Sequence, residues 1–107
     1  MDFFRLAELP TAEPLPGVTR RAVWLEQVMV TFFTFEPHAV IPAHEHPHEQ
    51  ITYVVEGAME FTLGQETRRL GAGEGVCIPS GVRHGARILD QPALVLDAWH
   101  PPREDYR

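Results

Sequence analysis

The stretch His44-Glu45-His46-Pro47-His48-Glu49-Gln50-Ile51-Thr52-Tyr53-Val54-Val55-Glu56-Gly57 opens with three histidines and a glutamine at alternate positions and continues as an apolar run. Side chains on an extended chain point to opposite faces in turn. An extended run would therefore set His44, His46, His48 and Gln50 on one side, apart from a kink at Pro47. Imidazole is the commonest side-chain ligand for transition metals, and two histidines at i,i+2 supply two ligands from one rigid element. The stretch is expected to bind a metal ion; the plainer alternative is a solvated, histidine-rich loop. Gln50–Val55 reads as a strand, with Ile51, Tyr53 and Val55 opposing Gln50, Thr52 and Val54.

Further β-like runs lie on both sides. Val18–Gln27 and Val28–Phe35 are rich in Val, Thr, Trp and Phe. Pro37 and Pro42 bracket a connecting segment. Glu56-Gly57-Ala58 turns the chain into Met59–Leu63, and Gly64-Gln65 suits a two-residue II′ hairpin turn into Glu66–Leu70. Val76–Ile78, His84–Ile88 and Ala93–Trp99 are further expected strands. The run Gly71–Gly75 lacks the following helix of a phosphate loop and reads as turn chemistry. Residues 10–17 carry three prolines and are expected as an extended arm or turn. Pro101-Pro102 ends regular structure. No segment sustains helical periodicity beyond about two turns. Many short, closely spaced strands point to an all-β, small antiparallel sandwich or barrel.

The 107 residues are expected to form one domain, with 1–17 as the arm, 18–99 as the β unit and 100–107 as the tail. A net charge of -6 argues against nucleic acid or an anionic membrane as partner. All nine Lys and Arg residues are arginine, which excludes Schiff-base and lysine general-base chemistry. Arginine instead offers bidentate carboxylate recognition. The single Cys77 has no intrachain disulfide partner and, in an apolar run, is expected as a buried structural thiol. A reducing, cytoplasmic compartment fits. Met1–Arg5 has an acid at position 2, so no signal peptide is expected. No apolar run approaches the ~20 residues of a membrane span.

A second histidine motif lies in Gly73-Glu74-Gly75-Val76-Cys77-Ile78-Pro79-Ser80-Gly81-Val82-Arg83-His84. The spacings of His44, His46, Gln50 and Gly57, and of Gly73, Pro79, Gly81 and His84, together resemble the two motifs of the cupin superfamily. The resemblance implies a jelly-roll β-barrel whose interior holds one divalent transition metal ion. It implies His44, His46, Gln50 and His84 as ligands, with Ni, Zn, Fe, Co or Mn as the ion. His48 fits the spacing less well and is expected beside the site or at the barrel mouth. His38 and His100 have no assigned role. Two positions depart from the pattern: Gln50 stands where cupins usually carry glutamate, and Ile88 where Asn is common. An all-neutral ligand set leaves the dipositive charge uncompensated, which favours Lewis-acid chemistry on anionic substrates over oxygen activation.

Asp97 is the one acid in Ala93–Trp99 and shares a face with Trp99; Arg103 follows two prolines. These three suit a sugar acid: an aromatic platform, a guanidinium for a carboxylate and a carboxyl to move protons. Local pairing of Asp97, core packing of Trp99 and a solvated Arg103 is an equally ordinary reading. His46–Val54 and the tail Pro-Pro-Arg-Glu-Asp-Tyr at 101–106 resemble the KdgF-type cupins of pectin and alginate degradation. In that family the glutamine ligand is normal. The resemblance implies ring opening of 4,5-unsaturated monouronates to linear 4-deoxy-5-keto-uronates, with Asp97, Trp99 and Arg103 as the catalytic residues. The family's aromatic is Phe, so Trp99 is a departure. It also implies a small-molecule sugar acid as partner and a homodimer, with residues 10–17 a candidate contact. Two alternatives are a metal-dependent cupin dioxygenase and a non-catalytic sugar-acid-binding cupin.

Overall fold

The computed structural model describes residues 3–107. Ten strands follow in chain order: β1 (Ala12–Leu15), β2 (Val18–Trp24), β3 (Met29–Phe35), β4 (Val40–His44), β5 (Glu49–Glu56), β6 (Ala58–Leu63), β7 (Glu66–Gly71), β8 (Gly75–Ile78), β9 (His84–Ile88) and β10 (Ala93–His100). They form a six-stranded sheet, β1-β2-β3-β10-β5-β8, facing a four-stranded sheet, β4-β9-β6-β7. Every pairing is antiparallel. This is the all-β jelly-roll architecture. No helix among the described residues is long and apolar enough to cross a membrane.

Alternation along the strands decides what enters the interior. In β3, Met29, Thr31, Phe33 and Phe35 are buried. In β10, Ala93, Val95, Asp97 and Trp99 are buried, and in β5, Gln50, Thr52 and Val54. One end of the interior is apolar. There Val18, Phe33, Phe35, Val54 and Val95 of the larger sheet meet Met59, Phe61, Leu70 and Ile88 of the smaller. Burying each large apolar side chain contributes about 1.5–3 kcal/mol. The other end carries polar groups at the same inward positions. Register makes this band continuous, because Asp97 lies opposite Thr31 on β3 and Thr52 on β5.

The structure refines the local reading in four places. The run 44–50 is not one extended segment: His44 ends β4 in the smaller sheet, Glu45–His48 form a corner, and Glu49 begins β5 in the larger sheet. The segment between Pro37 and Pro42 contains the start of β4. Proline is tolerated there because β4 is an edge strand, where a missing N–H costs no ladder bond. Residues 10–17 are extended, as expected, and are tied into the larger sheet, since β1 pairs with β2 through Ala12↔Arg20 and Leu15↔Val18. Cys77 is exposed: it lies opposite the outward Ile51, while its neighbour Ile78 takes the buried position.

The turns follow their glycines. Gly64 has φ +61° while Gln65 keeps a negative φ, as a II′ turn requires. Gly57 has φ +83° between β5 and β6, and a β-carbon there would lie 2.3 Å from the Pro92 carbonyl oxygen.

Candidate metal centre

His44, His46 and His84 converge, with ring nitrogens within 4.8 Å of one another. His44 comes from the end of β4 and His84 from the start of β9, paired across the smaller sheet. His46 comes from the corner that carries the chain to the larger sheet. Each ring is oriented by a backbone carbonyl. His44 Nδ1 donates to Pro42 O at 2.9 Å, His46 Nδ1 to His48 O at 3.1 Å and His84 Nδ1 to Val82 O at 2.9 Å. These bonds fix one tautomer, with the proton on Nδ1 and the Nε2 lone pair free, as metal-ligating histidines require. Burial lowers the pKa of His84, and of His46, where the Arg103 charge adds to it. Both rings are therefore held in the neutral, ligating form.

Two contacts show that the residues fit a cation. His84 Nε2 is buried without a hydrogen-bond partner among the described residues, a costly state unless a ligand meets it. His46 Nε2 lies 3.0 Å from Gln50 Oε1. With His46 protonated at Nδ1, both atoms are acceptors, and a positive ion between lone pairs resolves the conflict. Gln50 is itself oriented: its Nε2 donates to Thr52 Oγ1 at 2.9 Å, turning Oε1 toward the histidines. His48 stands outside the cluster, supplying its backbone oxygen to His46 while its ring packs 5.5 Å from that of His46. His38 is exposed on the far loop, and His100 Nδ1 donates to Gln27 O at 2.6 Å.

Asp97 lies next in the same polar band. Thr52 Oγ1 donates to Asp97 Oδ1 at 2.6 Å. Burial raises the carboxyl from its ordinary 3.8 to about 6, with the Thr52 and Gln50 hydrogen bonds pulling the other way. Trp99 is buried, its Nε1 donating to Thr31 Oγ1 at 2.9 Å, and its ring lies 5.3 Å from His46.

The tail returns to this end of the barrel. Arg103 sits 5.2 Å above the Trp99 ring and 4.3 Å above that of Tyr106. It is not the freely solvated residue of the ordinary reading. Nor is its whole fork available: Nε and Nη2 already donate to Asp105 at 3.1 and 2.9 Å. Asp97, Trp99, Arg103, Gln50, His44 and His84 all line one cavity of about 340 Å³. Its remaining wall is largely aromatic and aliphatic, including Phe33, Phe61 and Tyr106. Ligand sites commonly combine an apolar wall with a few convergent polar groups.

Sequence reasoning missed Thr52, Asp105 and Tyr106. Thr52 had a usable signal, since it lies two residues from Gln50 on the same strand face. Asp105 and Tyr106 lie in the tail motif that carries the resemblance, but their contacts with Arg103 depend on how the tail folds back.

Residues 31–99 match the Cupin domain family. Over 101 residues the chain is 29% identical to the pectin degradation protein KdgF of Dickeya dadantii, covering 92% of each chain. It is 42% identical over 59 residues to the dimethylsulfoniopropionate lyase DddQ of Ruegeria pomeroyi; that match covers 54% of this chain and 29% of DddQ, so the chain spans under a third of that relative's length. The solved structure of KdgF from a Halomonas species superposes with a TM-score of 0.93 at 36% identity, over 100% of this chain and 99% of that one. The family match runs from within β3 through most of β10 and includes His44, His46, Gln50 and His84, and on that match the chain belongs to the cupin family.

Proposed function

We propose that the chain is a metal-dependent isomerase that opens the ring of 4,5-unsaturated monouronates from pectin or alginate to linear 4-deoxy-5-keto-uronates. The observation that carries this reading is one cavity lined by His44, His84, Gln50 and a buried carboxyl whose pKa is raised to about 6, with His46 joining the two histidines in their cluster. Similarity to KdgF proteins over nearly the whole chain supports it.

The substrate is both a cyclic hemiacetal and an enol ether. Asp97 takes the proton of the anomeric hydroxyl, the C1–O5 bond breaks, and C1 becomes the aldehyde. The electron pair passes to O5 as an enolate. The proton held on Asp97, or one from solvent, goes to C4 and gives the 5-keto product. Atoms balance and no redox step occurs. A pKa near neutrality suits a group that must first accept a proton and then release it. Arg103, with Nη1 left over from its bonds to Asp105, binds the substrate carboxylate. Trp99 is held by Thr31 and forms a wall against the sugar ring. A divalent ion held by His44, His46, Gln50 and His84 would supply Lewis-acid stabilisation of the developing oxyanion. The working form is taken to be a homodimer, with the exposed outward row Ile51, Tyr53 and Val55 in support.

Asp97→Asn tests the base assignment. The variant keeps the fold and binds zinc, and its turnover of unsaturated galacturonate falls about 10²–10⁴-fold, the usual contribution of a positioned acid–base group. Wild-type turnover by a folded, metal-loaded Asp97→Asn protein would rule the assignment out.

A further inference from the structure

The proposed chemistry assigns no role to Thr52, yet its hydroxyl touches both a candidate metal ligand and the candidate base. Gln50 Nε2 donates to it at 2.9 Å, and it donates to Asp97 Oδ1 at 2.6 Å. Thr52 is 3% exposed, so water does not replace either bond.

We infer that Thr52 is a positioning residue that decides which face of the Gln50 amide meets the metal, and that it does so through Asp97. The inference rests on the reading of Gln50 as a ligand. A glutamine amide can turn by half a rotation, exchanging its oxygen for its NH₂ group. The oxygen has lone pairs for a metal; the NH₂ group has none to offer. A threonine hydroxyl has one proton and two lone pairs. Asp97 Oδ1 accepts the Thr52 proton at 2.6 Å. The lone pairs that remain on Thr52 call for a donor from position 50. The NH₂ group is therefore drawn to Thr52, and Oε1 is left facing His46 Nε2 at 3.0 Å. Reversing the amide would set Oε1 against the Thr52 lone pairs, in a buried place where an unmade bond costs about 1–3 kcal/mol.

The same chain of bonds accounts for an amide at this position. A glutamate at 50 has no N–H for Thr52. It would set its oxygen against the hydroxyl lone pairs and place a second anion one hydroxyl away from Asp97. The Thr52–Asp97 pair thus selects glutamine as the ligand that both meets the metal and satisfies the Thr52 hydroxyl.

The test is zinc affinity, measured on metal-free protein by competition with a chromophoric chelator. Thr52→Val keeps the side-chain shape and removes the hydroxyl. It should weaken zinc binding about 10–100-fold, the usual cost of losing a group that orients a ligand. Thr52→Ser restores the hydroxyl and should return wild-type affinity, which separates positioning from packing. In a Gln50→Ala background, Thr52→Val should weaken binding no further. Wild-type affinity in Thr52→Val, or an equal loss with and without Gln50, overturns the inference while leaving Gln50 a ligand. Wild-type affinity in Gln50→Ala overturns the ligand reading itself, and the inference with it.

Discussion

Asp97 is an acid at an inward position of β10 where Ala93 and Val95 are apolar. Its ionised form lacks bulk solvation, and hydrogen bonds from Thr52 and Gln50 compensate in part. The cost has a measurable signature. The folded, metal-free protein holds the Asp97 proton up to about pH 6, whereas the ordinary value is 3.8. The folded state thus binds the proton more tightly than the unfolded chain does. That stabilisation is fully present below about pH 4 and is lost as pH rises through 6. Asp97→Asn has no such proton to lose. In urea unfolding with chelator present, its stability relative to wild type should rise by about 2–3 kcal/mol between pH 4 and pH 7.5. A difference constant across that range would mean the carboxyl is not perturbed. The residue type was legible early, as the one acid in an apolar strand. Its partner was not, because Thr52 reaches it through strand register rather than sequence proximity.

At the scale of elements, the turns and strand alternation carry the argument. Gly57 and Gly64 both adopt positive φ, so both resist a side chain, but their surroundings differ. A β-carbon on Gly57 would meet Pro92 O at 2.3 Å and Ala93 Cα at 2.8 Å, backbone atoms that have little room to move. Nothing lies within 4 Å of one on Gly64. Gly64→Ala should cost about 1 kcal/mol, the strain of the left-handed region alone. Gly57→Ala should cost at least about 3 kcal/mol or fail to fold, since β5 and β10 must part to admit it. Equal losses in thermal or urea unfolding would contradict this ordering. Strands with a clear apolar alternation, such as β3, β5 and β10, were readable from sequence to within a residue or two. β4 was hidden by Pro42, which looks like a break until its edge position is known. The histidine corner does not meet the condition of an extended run from 44 to 50. Its histidines converge because the chain crosses between sheets there, not because alternate side chains share a face.

For the molecule as a whole, the candidate centre exists only when the two sheets are packed together. His44 and His84 belong to the smaller sheet, Gln50, Asp97 and Trp99 to the larger, and His46 to the corner between them. The tail then closes the same end, with Arg103 resting on Trp99 and Tyr106. The resemblance carried by the two motifs implied the jelly roll and the three-histidine cluster, whereas the strand pattern alone pointed only to a small antiparallel sandwich or barrel. The tail was legible as a list of residue types but not as a structure. Asp105, which occupies two of the donors of Arg103, has no sequence signal separate from any other exposed acid. The activity proposed for this assembled cavity is the opening of an acidic sugar ring with the help of a bound ion. The most direct measurement follows the ring protons of fresh unsaturated galacturonate by NMR, with the protein, with protein and chelator, and in buffer alone. Ring signals should be lost rapidly to a linear 5-keto product, the acceleration should vanish with chelator, and it should return when a divalent transition metal is added back. Ring signals that decay at the buffer rate, or equally fast with chelated protein, would contradict it.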